Sequence, residues 1–300
     1  MQKLRSRFLV AAAVLACAGS QANAETIFGL TLDNSLVRFD SAVPGLAGAP
    51  IPVTGLGAGQ TLVGIDFRPL DRQLVGVAGA GTGGVVYAIN PSTGAATQIN
   101  AIMTLTGSAF GVDFNPVPNA LRVVSDANQN LRITMGGAGV VNTDGMLNPG
   151  DPNVVGAAYS NNVPGGINGQ TTLYVIDSVL DALFTQGGVN FPPGTPPVSP
   201  NTGTLFQVGA LGFDTANLVG FDISRDSAIA YASLTGPTGL GAQLFTVNLG
   251  SGVATPVGGI GRGLALRDIT VSQIPEPGTL GLLALGLLGV VALCRAAPAA

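Results

Sequence analysis

A short phrase recurs along this chain. "LVGIDF" carries a glycine at Gly64, "FGVDF" at Gly111, "VVGAAY" at Gly156, "LVGFDI" at Gly220 and "GRGLAL" at Gly263, at spacings of 47, 45, 64 and 43 residues. The long interval contains "GGVNFPPGTPPVSPNTG", 17 residues from Gly187 to Gly203 that read as a loop insertion; without them the spacing returns to 47. Self-similarity at a period of roughly 20–50 residues marks a repeat architecture, because each unit needs a neighbour to bury its apolar faces. The repeat limits the possible folds more than any single motif.

Between phrases the chain keeps one rhythm. In the first copy "QLVGVAG", "GGVVYAINPSTG" and "AATQIN" follow the phrase, each an apolar run of strand length bounded by turn residues. In "NPSTG" Pro91 presets φ for a turn and Gly94 can take positive φ where pairing resumes; "LGSG", Leu249 to Gly252, repeats the device. Four strands per repeat of about 45 residues fit a β-propeller blade. The two ends complete the count. "TIFGLTLDN", "SLVRFDS" and "APIPVTG" are three strands without an opening phrase, and "GLALRDITV" is an opening phrase without strands after it. Together they make one blade, so the expectation is an all-β, five-bladed β-propeller closed by pairing of N- and C-terminal strands.

The termini have a different character. "MQKLRSRFLVAAAVLACAGSQANA" places Lys3, Arg5 and Arg7 before an apolar run and ends on Ala22-Asn23-Ala24, the pattern that signal peptidase cleaves. Residues 1–24 therefore read as a signal peptide and 25–272 as the folded domain. Residues 273–300 contain Pro275-Glu276-Pro277, fifteen apolar residues from Leu280 to Cys294, and then Arg295. As a helix the apolar run rises about 22 Å, enough to span a bilayer marginally with its flanks, and Arg295 favours a cytoplasmic end. At these residues the chain resembles the PEP-CTERM sorting signal of Gram-negative bacteria. The resemblance implies transient residence in the inner membrane, handling by an exosortase, and delivery to the cell surface, outer membrane or extracellular matrix. Such tails usually end in several arginines, and this one has a single Arg. Through "IFGLTLDNSLVRFD", "TLVGIDFRP", "AFGVDFNP", "LRVVSDANQNLRI" and "NPGDPNVVGAAYSN" the folded part also resembles the domain-of-unknown-function 4394 family, which implies a propeller-like fold and no particular activity.

Composition narrows the chemistry. The chain has no His and no Trp, its last Lys is Lys3, and Cys17 and Cys294 lie in the terminal apolar runs. Imidazole-dependent nucleophile systems, the usual zinc sites, Schiff-base chemistry and intradomain disulfides are excluded from the folded part. Residues 25–276 hold eight Arg and sixteen Asp plus Glu, a net charge of −8, which repels nucleic acid. Glycine-rich "GAGTGG", Gly79 to Gly84, sits between two strands and reads as a turn rather than a nucleotide cradle.

Carboxylates remain. Asp66, Asp113 and Asp222 share one position in three phrases, with Ala158 and Ala265 in the other two. If the phrase is the innermost strand, alternation puts Ile65 and Phe67 on one face and Asp66 on the other, near the axis. A residue repeated with the structural unit most simply serves the unit, by accepting backbone hydrogen bonds that lock blade to blade. The catalytic alternative is a carboxylate set of the glycoside hydrolase kind. For metal the expectation is none, the alternative being calcium at Asp126, Asn128, Asn130, Asp144 and Asp151, with Asn148 and Asn153 nearby; in this alternative calcium would be the cofactor. Arg122 and Arg132, on neighbouring strands, are expected to pair with Asp126 or other acids. The expectation for function is an exported, non-enzymatic binding or scaffold protein of the cell surface or, as the sorting-signal resemblance implies, of an extracellular polysaccharide matrix, the alternatives being a carbohydrate-active enzyme that uses Asp66, Asp113 and Asp222 or a calcium-dependent adhesin.

Overall fold

A computed structural model describes residues 24–273, except 82, 103, 136–138, 189–196 and 240. The signal-peptide and membrane-helix expectations fall mainly outside this range. Among the described residues the chain forms twenty strands and one 3-10 turn, with no helix able to cross a membrane. It begins with β1 (Thr26–Thr31), β2 (Ser35–Asp40) and β3 (Ile51–Pro52). Blade 1 follows as β4 (Thr61–Phe67), β5 (Leu74–Ala80), β6 (Gly83–Ile89) and β7 (Ala96–Ile102). Blade 2 is β8 (Phe110–Asn115), β9 (Ala120–Ser125), β10 (Asn130–Thr134) and β11 (Val141–Thr143). Blade 3 is β12 (Val154–Tyr159), β13 (Leu173–Asp177), β14 (Ala182–Gln186) and β15 (Leu205–Ala210). Blade 4 is β16 (Val219–Ile223), β17 (Ala230–Thr235), β18 (Ala242–Val247) and β19 (Ala254–Gly259), and β20 (Leu266–Val271) ends the array.

Each repeat is one antiparallel four-stranded sheet, and the fifth sheet runs β20-β1-β2-β3, so the chain ends share a blade. In it Ile27 pairs with Val271 and Gly29 with Ile269. The innermost strands β20, β4, β8, β12 and β16 contact one another in that order, and β16 returns to β20. The five-bladed propeller read from the repeat is the fold of this chain.

The core lies between blades. Phe28, Leu30 and Leu36 of the shared blade pack with Leu62, Ile65, Phe67 and Leu74 of blade 1, where Phe28 and Phe67 meet edge to face at 5.6 Å. Val75 and Val77 cluster with Val112, Phe114 and Val123 across the next junction, and blades 3 and 4 share Ile176, Leu183, Phe221 and Ala232. This division explains the repeat: each sheet has two apolar faces, and only a ring covers both.

The glycine of the phrase sits where two innermost strands come closest. A Cβ on Gly111 would lie 2.6 Å from Ala157 N, and one on Gly220 2.3 Å from Ile269 N, so any side chain would push neighbouring strands apart. The "NPSTG" hairpin forms as read, with Gly94 at φ 73° between β6 and β7. One reading is corrected. The fifth phrase does not align at Gly263, which lies in a turn at φ 97°; its strand starts at Leu266, so Ala265 is not the counterpart of the aspartates. Contacts put Asp268 at the glycine position, against Gly220, and Thr270 at the aspartate position, where its Oγ1 accepts from Phe67 N at 3.3 Å. The slip arises because "GRGLAL" imitates the phrase in a loop, while pairing of β20 with β1 sets the true register.

Candidate functional site

Alternation along the innermost strands turns Ile65 and Phe67 into the core and Asp66 toward the next blade. Asp66 Oδ2 accepts from Phe114 N–H at 2.8 Å, Asp113 accepts from the backbone of Tyr159, and Asp222 Oδ2 accepts from Val271 N–H at 2.6 Å. Each aspartate thus ties its blade to the following one, and Thr270 does the same toward Phe67. At the fifth position Ala158 has no polar group. Asp268, which repeat spacing did not reveal, accepts from Ile65 and Ile269 N–H, both at 2.9 Å, and from the backbone of Phe221.

The same geometry gathers charge. Oxygens of Asp66, Asp113 and Asp222 lie within 4.8 Å of one another, and the three side chains are 1–2% exposed. Burial first, and then the charge of neighbouring aspartates, holds Asp66, Asp113 and Asp268 well above the ordinary carboxylate range. Burial likewise raises Asp222 to about 7. Thr270 adds a constraint: its single hydroxyl proton faces Asp66 Oδ1 at 3.0 Å and Asp222 Oδ2 at 3.1 Å, so it can serve only one at a time.

Folded-state values above the unfolded value of 3.8 mean that the native state holds more protons than the unfolded one. The contribution of these groups to stability is greatest below pH about 4 and declines as pH rises through about 7. In buffer free of divalent cations the melting temperature is therefore expected to fall from about pH 5 to about pH 8. Differential scanning calorimetry across that range checks it, and a steady rise would contradict the buried, uncompensated state of the cluster.

This arrangement is unsuited to glycoside hydrolysis. Catalytic carboxylate pairs flank a sugar ring and an attacking water, whereas these carboxylates are buried and largely engaged with backbone amides.

The sequence's calcium candidates take other roles. Asp126 accepts from Ser108 N, Ser108 Oγ and Ala109 N, closing a loop. Asn128 donates to Asp151 at 2.6 Å. Asp144 pairs with Arg122 at 2.7 Å and Arg132 at 3.1 Å, and two guanidinium groups already neutralise it. The arginines do pair with an acid, and Asp144 is that acid. Asn130 Oδ1 accepts from Arg122 and from Gln186. Asn148 bridges Met146 O and Thr202 O, and Asn153 reaches Ser178 and Asn217. Among the described residues Asp126, Asp144 and Asp151 do not form a cluster of ligands.

Arg122, 1% exposed, is the centre of a second network: it also bonds Tyr159 Oη at 3.3 Å and Asn201 Oδ1 at 2.7 Å. Asn201 belongs to the Pro200–Thr202 turn in the insertion between β14 and β15, so blade 3 clasps blade 2. Beside this network, where β8 and β12 end, is a cavity of about 350 Å³ bordered by Asn115, Tyr159, Thr172, Leu173 and Gln186. Its described lining carries no Asp, Glu, Lys or Arg. Sequence reasoning missed this cavity because it needs the insertion loop and two blades together.

Residues 35–270 match the family described as Domain of unknown function (DUF4394). The chain belongs to this family. Following the DUF4394 domain, residues 273–296 match the PEP-CTERM protein-sorting motif, which exosortases recognise and which marks an exported protein. Pro275, Glu276, Pro277 and Arg295 fall inside that match and outside the described residues; Ala22, at the other end, also lies outside the described residues. No curated protein matches the chain. Solved structures similar to it include a proposed 6-phosphogluconolactonase from Bacteroides uniformis ATCC 8492, 15% identical over 79% of this chain and 82% of that one, with a TM-score of 0.41. A functionally unknown protein from Desulfotomaculum acetoxidans DSM 771 is 17% identical over 81% and 74%, at 0.41. TolB from Acinetobacter baumannii is 11% identical over 80% of this chain and 54% of its own, at 0.44.

Proposed function

We propose that this exported propeller is a non-enzymatic binding or scaffold protein that holds neutral polysaccharide at the surface or in the extracellular matrix of a Gram-negative bacterium. In this reading signal peptidase removes residues 1–24 and an exosortase processes the tail. The observation that carries it is the uncharged cavity between blades 2 and 3. Its wall offers amide and hydroxyl groups from Asn115, Thr172 and Gln186 beside the apolar bodies of Leu173 and Val117. Hydroxyl-rich, uncharged ligands match that mixture, whereas an anion would find no cation there and would meet a domain of net charge −8. The axial aspartates have a structural part in this reading, joining blade to blade, with Asp113 tying together the two that frame the cavity.

Isothermal titration of the purified protein with neutral and acidic glucans of matched length tests it. Binding is expected for the neutral series alone, and Thr172→Phe, which places a ring in the cavity, is expected to weaken it at least tenfold, about 1.4 kcal/mol. Preference for the acidic series, or unchanged affinity in the variant, would remove the cavity from consideration.

A further inference from the structure

Five positions correspond along the innermost strands: Asp66 on β4, Asp113 on β8, Ala158 on β12, Asp222 on β16 and Thr270 on β20. Three of them bring carboxylates together out of water, and the strongest neighbouring charges on Asp66 and Asp113 are other aspartates. Backbone amides satisfy part of the group, but they leave one oxygen over. Asp113 Oδ1 is buried, on a side chain 1% exposed, and has no hydrogen-bond partner. Leaving a buried acceptor of this kind unpaired costs about 1–3 kcal/mol, more when it is charged. The cluster and the unpaired oxygen together describe a place that lacks a positive partner.

We propose that Asp66, Asp113, Asp222 and Thr270 form a buried calcium site on the propeller axis, in which one ion joins blades 1, 2 and 4 to the shared blade. The donors are carboxylate and hydroxyl oxygens, a hard set that selects a hard cation, and the folded part contains no His or Cys to favour a softer one. Calcium binds six to eight oxygens at about 2.3–2.6 Å, so ligand atoms on opposite sides of it stand about 4.6–5.2 Å apart; magnesium draws them to about 4.0–4.2 Å and keeps its waters. Oxygens of the three aspartates within 4.8 Å of one another are near enough to share one ion, and a dry site with no room for the waters magnesium keeps favours calcium. An ion here would take up Asp113 Oδ1, offset the repulsion among the carboxylates, and relieve Thr270 of serving two acceptors with one proton.

The purified protein is dialysed against metal-free buffer at about pH 5, where protons assist release, then against EGTA at about pH 8, freed of chelator and titrated with calcium chloride. One ion per chain by elemental analysis is expected, and a melting temperature about 5–10 °C higher with calcium at about a hundred times its Kd. Asp113→Asn keeps an acceptor for the Tyr159 amide and removes one charge; its calcium affinity should fall at least tenfold while its calcium-free form melts no lower than wild type. The proposal fails if loaded and stripped protein melt alike with no stoichiometric ion, or if Asp113→Asn binds calcium as tightly as wild type. The stoichiometry and melting shift of unmodified protein decide the matter should that variant not fold.

Discussion

Removing Leu266–Val271 is expected to abolish cooperative folding of the whole domain, not to loosen its end. The segment is the innermost strand of the shared blade, pairing β1 along its length. It also contacts both β4 and β16. Leu266, Ile269 and Val271 are 0–4% exposed, and their burial alone contributes about 5–9 kcal/mol, comparable with the whole stability of an ordinary domain. The deletion further removes Asp268 and Thr270, whose side chains accept from Ile65 and Phe67 in blade 1, and exposes one edge of β1. Thermal unfolding followed by far-ultraviolet circular dichroism checks this. A truncated protein with a sharp transition near the wild-type temperature would show that the ring does not depend on its closure.

Substituting Arg122 should have the second largest effect, and the contrast with Arg132 makes it specific. The two arginines sit directly opposite each other on β9 and β10 and share Asp144. Arg122 is 1% exposed and joins Tyr159, Asn130, Asp144 and Asn201, whereas 28% of the Arg132 side chain is exposed. Arg122→Met therefore leaves several buried polar groups without a donor and is expected to cost about 3–5 kcal/mol, lowering the melting temperature by about 6–20 °C. Arg132→Met removes a partly solvated partner and should cost no more than about 1 kcal/mol. Equal losses in the two variants would contradict a buried clasp between blades 2 and 3.

Several of these features can be read along the chain, and the reason is local. The glycine-led phrase recurs in four blades because innermost strands meet closely at that position, closely enough at Gly111 and Gly220 for a side chain to strike the next strand's backbone, whereas the shared blade carries Asp268 there. Asp66, Asp113 and Asp222 stand out because alternation gives them a common face. Asp268 and Thr270 escape notice because their blade is built from both chain ends, and a loop at Gly263 imitates the phrase five residues too early. The oxygen-rich stretches around Asp126 and Asp144 look like metal loops for a similar reason: local composition counts ligands but not the arginines that reach them from another strand. Asn201, 79 residues from Arg122, gives no sequence sign of its role.

By itself the sequence determined the number of blades, the shared terminal blade and the PEP-CTERM motif, because strand period, turn chemistry and a sorting motif are all encoded by residues near one another. Only the tertiary structure decided that three carboxylates meet within 4.8 Å and that an uncharged cavity lies between blades 2 and 3. Periodicity says which way a side chain points, but how near it comes to its counterparts depends on how tightly five sheets close around one axis, and packing across distant parts of the chain sets that distance.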